Sequence, residues 1–121
     1  MTIAEVKKYL KEVSAYGEQI RAAKDAEAVL RKMGLRESDA ITEEAIKEAN
    51  ERVRQAVLMM LRLPPEESRV LIARYVHGTP YVDLSEDELL AGMTQRTAER
   101  ILARAVEHFG EVAEKWRKDA V

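Results

Sequence analysis

Apolar residues in this chain recur at three-and-four spacing almost from end to end, and that period admits helices and little else. Ile3, Val6, Leu10, Val13 and Ile20 open the pattern, with Lys7, Lys8, Lys11, Glu12 and Glu18 between them. The stripe drifts at Gly17 and resumes at Ala23, Val29, Leu30 and Met33, so the helix is expected either to bend there or to turn its buried face. Gly34, behind Arg31 and Lys32, has the form of a helix stop. Leu35–Ile41 then reads as a connector, and Thr42-Glu43-Glu44 as a new start with acids at the positive end of the helix dipole. The second helix is expected to run to about Leu61. Within it Ile46, Val53 and Met60 repeat every seven residues, as do Ala49, Ala56 and Leu63. Such a seam serves either the core of one subunit or a dimer, and both readings are open.

Leu63-Pro64-Pro65 ends that helix and begins another, because proline cannot continue a ladder but fits a first turn, here followed by Glu66 and Glu67. This third helix is expected over Pro65–His77, with Val70, Leu71, Tyr75 and Val76 inside, and a stop at Gly78. Ser85-Glu86-Asp87-Glu88 has the S-x-x-E form of a capping box ahead of Leu89 and Leu90. Ala91-Gly92-Met93 breaks that short helix. Thr94 is a good N-cap for a last helix from Gln95, whose apolar face is Ala98, Ile101, Leu102, Ala105, Val106 and Phe109. Gly110 is expected to interrupt it, with Val112, Ala113 and Trp116 adding further amphipathic turns.

Composition agrees with this pattern and narrows the chemistry. The chain has 121 residues, 46% apolar and 35% charged, with no cysteine. That is room for one small domain with a helical appendage, and it excludes disulfides, thiolate metal sites and thiol nucleophiles. Met1–Leu10 mixes charges into its apolar residues, which does not suit a signal peptide, and no stretch approaches the ~18 apolar residues of a membrane span, so a cytoplasmic protein without a membrane partner is expected. Residues 1–64 carry 12 basic against 11 acidic side chains and residues 65–121 carry 8 against 11. Neither half is basic, so any nucleic-acid contact must come from a local cluster.

Such a cluster sits on the last helix. Arg96, Arg100 and Arg104 fall four residues apart on the side opposite Ala98, Ile101 and Ala105. Gln95, Arg96 and Thr97 occupy its first turn, the part of a recognition helix that meets base edges in the major groove. Glutamine suits adenine, arginine suits guanine or a phosphate, and threonine a thymine methyl or a phosphate. The competing reading is a solvated face, with Arg100 and Arg104 paired to Glu99 and Glu107. The only histidines, His77 and His108, have no second histidine or carboxylate at metal-ligand spacing. His77 reads as a cation at a helix C-terminus, and His108 as a surface residue. No metal, cofactor or catalytic group is expected, and the chain does not read as an enzyme.

Taken together, Arg74-Tyr75, Gly78, Tyr81 and Gly92-Met93-Thr94-Gln95-Arg96-Thr97 with Arg100 and an apolar tail make Leu63–Phe109 resemble region 4 of bacterial sigma factors. With a helical N-terminal half in front, the chain is similar to the RinA/ArpU-type phage and prophage regulators of late transcription. The resemblance implies an all-α fold with a helix-turn-helix domain over residues 63–121, and the Ile46–Val53–Met60 stripe, in a chain with little core of its own, predicts that residues 1–62 form a helical hairpin that also mediates self-association. The resemblance also implies double-stranded DNA as partner, contacted by Arg74, Thr94, Gln95, Arg96, Thr97, Arg100 and Arg104. Arg69 also falls on a phosphate-contacting position. RNA polymerase is a candidate second partner and a homodimer a candidate assembly. After Gly78 this chain has about two residues more than the family pattern, which leaves two starts for the first motif helix, Tyr81 or Ser85. Two other functions are open: the DNA-recognition (small) subunit of a phage packaging terminase, and a helical protein-interaction module without DNA affinity.

Overall fold

A computed structural model of the chain describes residues 1–34 and 40–119. Every regular element among the described residues is helical, so the fold is all-α. Helix α1 spans Ile3–Lys32. A reciprocal capping box starts it: the Glu5 N–H donates to Thr2 Oγ1 at 3.2 Å and the Thr2 N–H donates to Glu5 Oε1 at 3.2 Å. The helix does not break at Gly17. Instead the buried face ends there: Val6, Leu10, Val13 and Gly17 are buried, and nothing beyond them on α1 is. Gly34 takes a left-handed φ of 74° just past the helix.

The connector expected over Leu35–Ile41 falls largely outside the described residues, and α2 is already helical at Ala40, ahead of the expected Thr42 start. It spans Ala40–Met60 and packs along α1 as a hairpin. The heptad seam faces inward. Ala49, Ala56, Met60 and Leu63 are buried while Ile46 and Val53 are half-buried, so the stripe belongs to the core of this chain.

Helix α3, Pro65–Leu71, starts on Pro64 with Pro65 in its first turn. The single helix expected to His77 is in fact two windings, because Ile72–Val76 continues as a π-turn in which the His77 N–H donates to Ile72 O at 2.8 Å. Gly78, at φ 77°, ends it. Two 3₁₀ turns follow, Tyr81–Glu86 and Glu88–Leu90, before helix α4 spans Gln95–Asp119.

Gly110 does not interrupt α4. It lets α1 cross closely, since a Cβ on Gly110 would lie 2.9 Å from Val6 Cγ2. Its neighbour in the chain, Phe109, stacks on Tyr9 with ring centroids 5.9 Å apart. One buried cluster draws on all four α-helices and on Leu84 and Leu90 of the 3₁₀ turns. Trp116 packs against this core from the tail of α4, with the Arg62 guanidinium 4.5 Å from its ring centre. No described helix is long and apolar enough to cross a membrane.

Candidate nucleic-acid interface

The entry to α4 is set by a glycine and a threonine. Gly92 adopts φ 87°, a left-handed conformation that costs a residue with a Cβ about 1 kcal/mol or more. The turn is closed by the Met93 N–H donating to Leu90 O at 2.9 Å. Thr94 then caps the helix, its Oγ1 accepting from the Thr97 N–H at 3.2 Å while its hydroxyl donates to Thr97 Oγ1 at 2.8 Å. The left-handed turn and the cap stand where the sequence put them.

The element before the turn differs from expectation. No capping box forms between Ser85 and Glu88, and the chain makes two 3₁₀ turns hinged at Asp87 where one short α-helix was expected. The cause is Asp87. Its carboxylate is buried and takes three partners: Oδ1 accepts from the Leu89 N–H at 2.9 Å, and Oδ2 lies 2.7 Å from the Thr79 hydroxyl and 3.1 Å from His77 Nδ1. Burial pushes the Asp87 carboxyl up, and the bonds from Thr79, the Leu89 amide and His77 outweigh it, so the group sits below its ordinary value. Of the two open starts, the winding begins at Tyr81.

The Ser85 N–H, which a capping box would have used, instead donates to Gln95 Oε1 at 2.9 Å, and Gln95 Nε2 donates to Tyr81 O at 2.6 Å. Both polar ends of the Gln95 amide therefore hold the 81–86 turn against the first turn of α4. Thr97 is half-buried, with its hydroxyl on Thr94. Arg74, in the π-turn, is half-buried: Nη1 donates to Thr79 O at 3.4 Å and the guanidinium lies 5.3 Å from the Tyr75 ring centre. Arg69 is exposed and donates from Nε to Pro65 O at 3.2 Å.

The arginine row divides. Arg96 and Arg100 are exposed, and among the described residues neither meets a carboxylate or another hydrogen-bond partner. Arg104 has Nε 3.8 Å from Glu67 Oε1. The same oxygen takes His108 Nδ1, one turn along α4. The pairs with Glu99 and Glu107 that a solvated face would make are not found among the described residues.

Glu67 and Asp87 were invisible as partners in the sequence, where neither lies at metal-ligand spacing from a histidine. The fold brings each histidine to one: His108 to Glu67, 41 residues away, and His77 to Asp87, 10 residues away. His77 thus pairs through its ring, while its backbone closes the π-turn. A signal for Glu67 did exist, since it lies three and four residues before the buried Val70 and Leu71, on the inward face of α3. Among the described residues no three His, Asp or Glu side chains are grouped to hold a metal ion. Comparison with family models, with curated proteins and with solved structures found no match to this chain.

Proposed function

We propose that the chain is a sequence-specific transcription regulator that binds double-stranded DNA through α4, in the manner of sigma region 4. The observation that carries the reading is the pair Arg96 and Arg100: two exposed cations without internal partners, on the first turns of a helix held at a fixed entry by Gly92, Thr94 and Gln95. A helix N-terminus set into the major groove brings its first-turn side chains to base edges and later ones to the phosphate wall. Arg96 is then the base reader, with a bidentate match to guanine, and Arg100 the next contact outward. Gln95 and Thr97 set the angle and cap of the helix, Arg74 lies at the phosphates flanking it, and Arg104 ties α4 to Glu67. Recruitment of RNA polymerase is the further step that the sigma-like sequence implies.

Selection of bound fragments from random duplex DNA, repeated at low and high salt, tests this. A recovered motif containing an invariant guanine that disappears with Arg96→Ala supports it. Absence of any salt-dependent duplex binding overturns it.

A further inference from the structure

The long first helix carries an apolar stripe that the described residues leave exposed. Along the distal half of α1 and its C-cap, Ala22, Ala26, Val29 and Met33 are all exposed, Val29 at 55% and Met33 at 66%. Their spacing of four, three and four is the a/d spacing of a coiled-coil seam. Ile20, Ala23 and Leu30, on the adjoining side, are half-buried by the rest of the chain, so this seam is a second face and not the edge of the first. It is also distinct from the Ile46–Val53–Met60 stripe, whose Val53 and Met60 pack in the core of the subunit.

We infer that this face is the contact between two copies of the chain, paired antiparallel about a two-fold axis midway between Ala26 and Val29. The register follows from shape and charge. In it Ala22 faces Met33 of the second copy and Ala26 faces Val29, so each small residue meets a large one across the seam. The flanking positions that then approach are Asp25 against Lys32, twice by symmetry, and Ala23 against Leu30. Opposite charges are thereby paired at both ends of the contact. A parallel pairing would set Ala against Ala, leaving gaps, and would place Asp25 beside Leu30. The isologous geometry needs no second surface. The seam spans 12 residues, about 18 Å of helix, so the dimer is small in area and its population rises with concentration.

The surface lies on α1 and shares no residue with the basic row of α4, so its test is independent of DNA binding. The parent chain is followed by sedimentation equilibrium up to about 1 mM, where a monomer–dimer equilibrium is expected. Because the chain has no cysteine, the register is read by thiol pairing. Ala26→Cys and Val29→Cys chains oxidised together are expected to give a covalent dimer in several-fold excess over either variant alone, since only the 26–29 pairing comes within disulfide reach. Asp25→Lys is expected to abolish dimerisation, and adding Lys32→Asp to restore it, with helix content unchanged throughout. A parent that stays monomeric, a mixture that does not cross-link, a single variant that cross-links as well as the mixture, or a charge swap that fails to restore the dimer each overturns the proposal.

Discussion

Two stretches of the same helix carry basic side chains and dispose of them in opposite ways. In the middle of α4, Arg104 and His108 converge on one oxygen of Glu67, a carboxylate on α3 that is only 2% exposed. At the start of α4, Arg96 and Arg100 stand in solvent with no acid paired to them among the described residues, in a chain whose net charge is -2 and where acids outnumber bases. A cation that meets a buried carboxylate fastens one helix to another. A cation that the fold leaves without one keeps its full attraction for a phosphate or a guanine outside. The difference separates residues that hold the protein together from residues free to act on a partner, and sequence spacing alone had placed all three arginines in one row.

The largest effect expected from breaking this contrast is on stability. The Arg104→Ala, His108→Ala double variant leaves Glu67 buried without either of its α4 partners, which should cost about 3 kcal/mol. Thermal unfolding reads it, and an unchanged melting temperature would show that Glu67 does not depend on α4. Arg96→Ala should do the reverse: melting unchanged, and about 1 to 3 kcal/mol lost on the preferred duplex with relaxed choice at one or two base pairs. A loss of stability in that variant would move Arg96 to the fastening class. Gln95→Ala removes two hydrogen bonds to the 81–86 turn and should cost about 1 to 2 kcal/mol of stability. If Gln95 only positions the helix, affinity falls for all sequences and the base preference stays; a changed preference would make it a reader.

The smallest effect is in acid. The Asp87 carboxyl lies below its ordinary value in the folded protein, so its contribution is present above the unfolded value, about 4, and is lost as pH falls through the folded one. Melting followed from about pH 6 to about pH 2 should show this loss, and Thr79→Ala, which removes one of the bonds that hold the carboxyl down, should flatten it. An equally steep acid limb in both proteins would place the acid sensitivity elsewhere.

Much of the fold was legible because it rests on local rules. The three-and-four period gave α1, the inward faces of α2 and α4, and the stops at Gly34 and Gly78; the demand for a left-handed turn gave Gly92, and Thr94 gave the cap. What failed depended on partners distant in the chain. Asp87 takes Thr79 and His77, and that contact dissolved the expected Ser85 capping box and its α-helix. Gly110 looked like a breaker because sequence shows a missing side chain but not Val6 of another helix filling the space. At the candidate site, the exposure of Arg96 and Arg100 followed from helical period alone, whereas the commitments of Gln95 to Ser85 and Tyr81, and of Arg104 to Glu67, needed the tertiary fold.

The central claim is that the start of α4 is a DNA-contacting surface, and the salt dependence of duplex binding tests it most directly. The Arg96→Ala, Arg100→Ala double variant is compared with the parent on one duplex across a series of salt concentrations, with melting measured on both. The slope of log affinity against log salt is expected to fall by about one to two units, while the melting temperature is unchanged. Identical affinity and slope at every salt concentration would contradict the claim.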